Sequence, residues 1–115
     1  MPLRVVDDQR GCPTYTVHLA EKTKELLSAD ASGVFHTAGS GDCTWFQFAR
    51  AILRRAGLDA VSVTPIPSEE LGRKARRPRV SVLRSIRLSN WGIAPLPRWE
   101  EGLEAYFCEG EEDGT

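Results

Sequence analysis

Near its start the chain runs Val5-Val6-Asp7-Asp8-Gln9-Arg10-Gly11-Cys12-Pro13-Thr14, an apolar pair followed by a polar segment that glycine and proline interrupt. Neighbouring valines favour a strand, and the Gly-Cys-Pro step favours a loop after it. Apolar residues then recur at helical spacing, which predicts a helix next. A strand, a polar loop and a helix in this order are typical of α/β enzymes, where such a loop often lies beside a ligand.

Composition and charge limit the class of protein. The sequence is 41% apolar and 27% charged, as in an ordinary globular domain. Its 115 residues can form no more than one domain. A net charge of −1 gives no overall attraction to nucleic acid or a membrane surface. No apolar run approaches the length of a membrane span, and no signal peptide is visible. Cys12, Cys43 and Cys108 are far apart in the sequence, which favours reduced thiols, a cytoplasmic location and no zinc site.

The apolar pattern predicts three main helices. The first covers residues 16–27, with its apolar face toward the core and its charged residues toward solvent. The second begins at Thr44, which with Gln47 forms a capping box, and ends at Gly57. The last begins near Pro97.

The remaining segments predict short strands, a short helix and an acidic tail. Strands are expected at residues 4–6, 34–38 and 61–64, and a short helix is expected at 84–89. We therefore expect one folded domain over residues 1–108, followed by an acidic disordered tail over 109–115.

Gly39-Ser40-Gly41-Asp42-Cys43-Thr44 lies between a predicted strand and a predicted helix, the context of a dinucleotide-binding turn. Thr44 stands where such a turn has its third glycine, and Asp42 would repel a phosphate. A structural turn is therefore the favoured interpretation, and no residue is assigned to cofactor binding.

A basic segment at residues 73–79 holds five cations in seven positions. Arginines in such a loop suit phosphate, because the guanidinium can donate two parallel hydrogen bonds. A solvated loop and a nucleic-acid patch remain open, although the rest of the chain is not basic. His18 and His36 lack partners at metal-ligand spacing, and Tyr15 has Leu19 where a Tyr-x-x-x-Lys pair needs lysine. The sequence thus offers a candidate anion site and no catalytic or metal-binding set.

A set of segments occurs along the chain in a characteristic order. They are Val5-Val6-Asp7-Asp8-Gln9-Arg10-Gly11-Cys12-Pro13-Thr14, Leu19-Ala20, Gly33-Val34-Phe35-His36-Thr37-Ala38-Gly39, Thr44-Trp45-Phe46-Gln47-Phe48-Ala49, Pro65-Ile66-Pro67-Ser68, Ala75-Arg76-Arg77-Pro78 and Leu96-Pro97-Arg98-Trp99-Glu100-Glu101-Gly102-Leu103. Taken in this order, the segments resemble the C-terminal portion of the dTDP-4-dehydrorhamnose reductases, a family of extended short-chain dehydrogenases/reductases. The resemblance covers roughly residues 3 to 107.

The resemblance implies an α/β fold: the C-terminal substrate-binding part of such an enzyme, with short strands and about three helices, and without the Rossmann core. Family members reduce the 4-keto group of a dTDP-linked sugar with NADPH or NADH, in the synthesis of dTDP-L-rhamnose. Their Rossmann half carries the glycine-rich turn and the Tyr-x-x-x-Lys pair, both of which this sequence lacks. We therefore expect a substrate-binding portion that binds no cofactor and does not catalyse by itself. A missing Rossmann half, or a second copy of the chain, would be its partner.

The resemblance also implies site residues. Arg77 matches the family's Arg-Pro step, which in related reductases contacts the diphosphate, and Arg76 is a second candidate. Gln9 and Thr14 lie on the family's loop near the sugar. Trp45 is expected in the core, because it belongs to the apolar stripe of the second helix. Two alternatives remain: a stand-alone nucleotide-sugar binding module, and an interaction protein that uses residues 73–79 against nucleic acid or an acidic partner.

Overall fold

The computed structural model describes residues 3–72 and 77–112. It contains short strands, three α-helices and two 3-10 turns. The strands are β1 (Leu3–Val6), β2 (Arg10–Gly11), β3 (Cys43–Thr44) and β4 (Val63–Ile66). The α-helices are α1 (Thr16–Ser28), α2 (Trp45–Arg55) and α3 (Trp99–Glu112), and the 3-10 turns cover Ser68–Leu71 and Leu88–Trp91. The predicted α/β fold class, with three helices and short strands, is confirmed.

The chain divides into two compact units, the first formed by Met1–Gly11 and Asp42–Val82. In this unit β1 pairs in parallel with β4, and α2 packs against both strands. The antiparallel pair of β2 and β3 lies in the same unit. The buried apolar side chains of the unit are those of Val6, Cys43 and Ile66, so its core lies where strand ends and the start of α2 meet.

The local signals that predicted α2 are all present in the structure. The Thr44 hydroxyl accepts the amide of Gln47 at 3.1 Å, and the Gln47 side chain accepts the amide of Thr44 at 2.9 Å. At the other end, Gly57 has φ +75°, and the amide of Leu58 donates to the carbonyl of Leu53 at 2.8 Å. This pattern is a Schellman motif, which satisfies carbonyls that the helix itself leaves without partners.

The second unit consists of Cys12–Gly41 and Leu83–Thr115. Its buried apolar residues are Leu88, Ile93 and Leu96, and α1 and α3 belong to it. A side chain in place of Gly102 of α3 would lie 3.0 Å from the Cβ of Tyr15, so a glycine lets α3 approach the start of α1.

Several predicted boundaries are wrong. Residues 34–38 form no strand, because a strand needs a neighbouring strand to pair with and no described segment pairs with this one. The carbonyl of Val34 instead accepts a hydrogen bond from Arg87 at 3.5 Å. The strand predicted at 61–64 is β4, two residues later, and the short helix predicted at 84–89 is the 3-10 turn at Leu88–Trp91. Separately, α3 extends to Glu112, into the segment for which an acidic tail is predicted.

Candidate functional site

A cavity of about 650 Å³ opens in the first unit, within the size range of small-molecule sites. Among the described residues, its wall combines apolar surface with three arginines and one amide side chain. The residues that matter for ligand chemistry are Arg4, Gln9, Arg10, Trp45, Leu71 and Arg77. Two of the predicted site residues, Gln9 and Arg77, therefore lie at one cavity although they are far apart in the sequence.

Backbone pairing brings these distant segments together. Arg10 pairs with Thr44 in the β2–β3 ladder, and its amide donates to the carbonyl of Arg79 at 2.6 Å. The amide of Ser81 in turn donates to the carbonyl of Arg10 at 2.9 Å. The loop that follows β1 is thus held against residues 79–81, which places the preceding Arg77 at the cavity wall.

The three arginines of the cavity differ in their charge partners. Arg4 forms an ion pair with Glu70, and the Nε of Arg10 lies 2.5 Å from the Oδ2 of Asp42. Within residues 3–72 and 77–112, Arg77 has no hydrogen bond or ion pair with another side chain. Of the cavity's arginines, Arg77 therefore offers the guanidinium that is ready for an anionic ligand.

Gln9 is the buried polar residue of the cavity. Only 6% of its surface is exposed, yet its amide makes no hydrogen bond to the described part of the chain. Among the described residues no buried side-chain polar atom is both sealed from solvent and without a partner. The Gln9 amide therefore reaches the cavity, where a ligand can supply the hydrogen bonds that a buried amide needs.

The two aspartates before Gln9 brace the loop. Asp7 accepts a hydrogen bond from the Thr44 hydroxyl at 2.7 Å. Asp8 accepts the amide of Ser68 at 3.1 Å and its hydroxyl at 3.0 Å. The bond from the Ser68 amide is the main reason why the pKa of Asp8 is lowered from its ordinary value. These carboxylates fix the position of Gln9 and have structural partners of their own.

Trp45 corrects a sequence prediction. It was expected in the core, but 54% of its surface is exposed and it lines the cavity. Trp45 is the first residue of α2, and no residue of that helix is buried, so a place in the helical stripe does not determine its burial. A spacing argument treats all stripe positions alike, and no sequence signal marked this one as different.

The other two predicted site residues are not part of this described cavity wall. Thr14 belongs to the second unit, where its hydroxyl donates to the carbonyl of Cys12 at 3.0 Å and accepts the amide of Gly39 at 2.9 Å. These bonds give Thr14 a role in fixing the loop before α1. Arg76 lies outside the described residues, as does most of the basic segment at 73–79.

The glycine turn at residues 39–41 is structural. A Cβ at Gly39 would lie 2.2 Å from the carbonyl oxygen of Pro13, and Gly41 has φ +79°. The amide of Gly39 is bound to Thr14, and the amide of Ser40 donates to the carbonyl of Pro97 at 3.1 Å. Amides that are bonded within the chain do not form the cradle that a dinucleotide turn offers to a pyrophosphate.

Tyr15 also has a partner within its own unit. Its hydroxyl contacts the carboxylate of Glu109, and this hydrogen bond is the main cause that raises the pKa of Tyr15 to about 12. No three His, Cys, Asp or Glu side chains of the described residues come together in a way that could hold a metal ion. In the same described ranges, none of the helices has the length and apolar character needed to span a bilayer.

Comparison with protein families defines the class of this α/β domain. Residues 1–111 match the family described as RmlD substrate binding domain. The chain is 42% identical over 107 residues to the spore coat polysaccharide biosynthesis protein SpsK of Bacillus subtilis. It is 40% identical over 103 residues to the dTDP-4-keto-6-deoxy-D-glucose reductase of Streptomyces niveus. These matches cover 93% and 90% of the chain, but only 37% and 36% of the relatives.

Comparison with solved structures also finds dTDP-4-dehydrorhamnose reductases. The dTDP-4-dehydrorhamnose reductase of Bacillus anthracis, solved in complex with NADP, is 38% identical and superposes with a TM-score of 0.90. The dTDP-4-dehydrorhamnose reductase of Clostridium acetobutylicum, described as an RfbD orthologue, is 39% identical, also with a TM-score of 0.90. The chain is covered to 94% and 96%, and spans 38% and 39% of those two chains. The fold thus corresponds to one part of larger α/β enzymes. The chain belongs to the RmlD substrate-binding domain family.

Proposed function

We propose that this chain binds a dTDP-linked sugar, as the substrate-binding part of an enzyme like dTDP-4-dehydrorhamnose reductase. One observation carries the proposal: among the described residues, the cavity of the first unit holds an arginine that has no charge partner and a buried side-chain amide that has no hydrogen-bond partner. An anionic diphosphate satisfies the first group, and a polyhydroxylated sugar satisfies the second.

The charges around the cavity support an anionic ligand. Glu70 and Asp42 neutralise Arg4 and Arg10, which leaves the charge of Arg77 in excess. Arg77 is therefore assigned to the diphosphate, where its guanidinium can donate two parallel hydrogen bonds. Arg76, which precedes it, is assigned a weaker contact with the same group.

The sugar is assigned to the loop that follows β1. The amide of Gln9 can donate to and accept from hydroxyl groups, and its burial makes each such bond specific, because a ligand without the hydroxyl would leave the amide unsatisfied. Thr14 is retained as a candidate for the sugar end on the strength of the family resemblance. Thr14 is a weaker candidate than Gln9, because its hydroxyl already forms hydrogen bonds within the chain.

The reaction we propose for the whole enzyme is reduction of the sugar's 4-keto group by NADPH or NADH. The cofactor and the proton donor would be held by a Rossmann part, either on a longer chain or on a partner. NADP in the related Bacillus anthracis structure supports this assignment. A cytoplasmic location is proposed from the odd number and wide spacing of the three cysteines.

Calorimetric titration with dTDP and dTDP-rhamnose tests the binding proposal. We expect saturable binding that Arg77→Ala weakens by roughly tenfold to a hundredfold, because a hydrogen bond from a charged group to phosphate is lost. Arg79→Ala is the matched control: it removes the same charge from an exposed position two residues further along, outside the described cavity wall. It should change the dissociation constant less than about twofold.

Two results would contradict the proposal. The first is equal loss of dTDP binding in both variants, which would indicate general attraction by a basic loop. The second is binding of a short DNA duplex, with steep dependence on salt, and no binding of dTDP. The latter result would favour an interaction protein that uses residues 73–79.

A further inference from the structure

We infer that Trp45 forms the platform on which the planar base of the nucleotide stacks, so that this side chain makes the cavity select nucleoside diphosphates. The inference rests on the proposed function, because it assigns a part of the same ligand. It adds a specificity-determining residue that the sequence pattern had placed in the core.

The exposure of Trp45 is the first observation. A tryptophan with 54% of its surface exposed leaves a large apolar area in water, and here that area faces a cavity that already holds arginines. An aromatic surface beside cations is the combination that a nucleotide requires, since it carries both a flat π system and anionic phosphates.

The ring of Trp45 is also available for stacking. Its one ring neighbour in the described part of the chain is Phe48, which it meets edge to face, with centroids 6.4 Å apart and planes at 62°. An edge-to-face contact orients the indole without covering it by a parallel ring. A base can therefore stack on the exposed surface of the indole, where each such contact contributes appreciably to affinity.

The position of Trp45 is fixed before any ligand arrives. The preceding Thr44 is held by the capping box, by its ladder partner Arg10 and by the carboxylate of Asp7 at 2.7 Å. A platform attached to so constrained a residue loses little conformational freedom on binding, which is the condition for an effective contact.

Trp91 provides a matched control. It is 41% exposed, and its ring meets Phe35 at 6.5 Å and 62°, nearly the geometry of Trp45 on Phe48. Trp91 belongs to the second unit and not to the described cavity wall. The two tryptophans thus differ in location, while their ring contacts are nearly alike and both are substantially exposed.

The test compares dTDP with deoxyribose 5-diphosphate, which has the same diphosphate and no base, by calorimetric titration of the full chain. Trp45→Leu should weaken dTDP binding by about tenfold and leave the base-free probe unchanged. Trp45→Phe, which keeps an aromatic face, should retain most of the affinity, and Trp91→Leu should bind both probes like the wild type. Circular dichroism of each variant verifies that it is folded.

The outcomes separate this inference from the proposed function. If dTDP binding depends on Arg77 and is unchanged in Trp45→Leu, the stacking platform is wrong while the binding site stands. Equal weakening of both probes by Trp45→Leu would also overturn the platform, because the ring would then contact something other than the base. If the wild-type chain binds neither probe, the proposed function fails and this inference fails with it.

Discussion

The carboxylate of Asp8 accepts a hydrogen bond from the backbone amide of Ser68, with both of its oxygens 3.1 Å away. Since Ser68 is distant in the sequence, this bond fixes the loop that follows β1. An amide donates best to a charged carboxylate, so the bond lowers the pKa of Asp8 below its ordinary 3.8 in the folded chain. A lowered folded pKa contributes stability above the unfolded pKa. That stability is lost as the pH falls through the folded value.

We predict that Asp8→Asn removes this pH-dependent part of the stability. The free energy of unfolding of the wild type should exceed that of the variant at about pH 6, and the difference should shrink toward about pH 3, as Asp8 takes up a proton. Urea denaturation of both chains at each pH measures the difference. Ser68→Ala is the control, because it keeps the amide that is the larger cause of the shift. Parallel pH profiles for wild type and Asp8→Asn would contradict the prediction.

At some single residues the burial predicted from the sequence differs from the burial in the structure, and the difference has a physical reason. Gln9 and Arg77 were candidates because of the family pattern, and the structure brings both to one cavity. Trp45 was missed because helical spacing predicts which positions share a face, and does not predict how much of that face other elements cover. Likewise Lys22 was expected on the solvent face of α1, but it is buried and pairs with Glu25 at 3.2 Å.

Elements whose signals are local were predicted well. The capping box at Thr44 and the stop at Gly57 involve residues within one turn of the helix, so α2 has almost the predicted bounds. The segment at 34–38 has strand-like residues but was predicted wrongly, because strand formation depends on a neighbour that propensity does not reveal. In α1 the direction of burial was also missed: Leu27 was placed on the buried face and is 77% exposed.

The glycine that ends α2 has a backbone conformation that most side chains disfavour. Gly57 has φ +75°, and a Cβ built there would meet no atom within 4 Å, so any cost of a side chain comes from the backbone alone. Gly57→Ala should destabilise the chain by about 1 kcal/mol. Gly57→Asn should cost less, because asparagine tolerates the left-handed conformation. Urea denaturation midpoints measure both; an alanine variant as stable as the wild type would show that the Schellman turn is not required.

The parallel pair of β1 and β4 forms a very small sheet. In the described residues this sheet has two strands, so each strand has one edge with no hydrogen-bonded neighbour. Parallel sheets occur almost only where they are covered and extended by other elements, and open edges promote association. Apolar side chains such as Leu3 of β1 are also exposed, at 44%. A second copy of the chain, or a partner that supplies further strands, would satisfy both requirements.

We therefore predict that the chain on its own self-associates through the edge of β1. Sedimentation velocity over an approximately hundredfold range of concentration should reveal a growing oligomer, and the melting temperature should rise with concentration. Leu3→Lys places a charge on the edge strand and should shift the equilibrium toward monomer. Leu27→Lys is the matched control, because it places the same charge at a more exposed leucine, 77% against 44%, on a helix of the other unit. If both variants disperse the oligomer equally, general apolar exposure and not the strand edge drives association. A cooperative melt of a monomer at every concentration would contradict association altogether, and would mean that the two-stranded sheet is stable with its edges open.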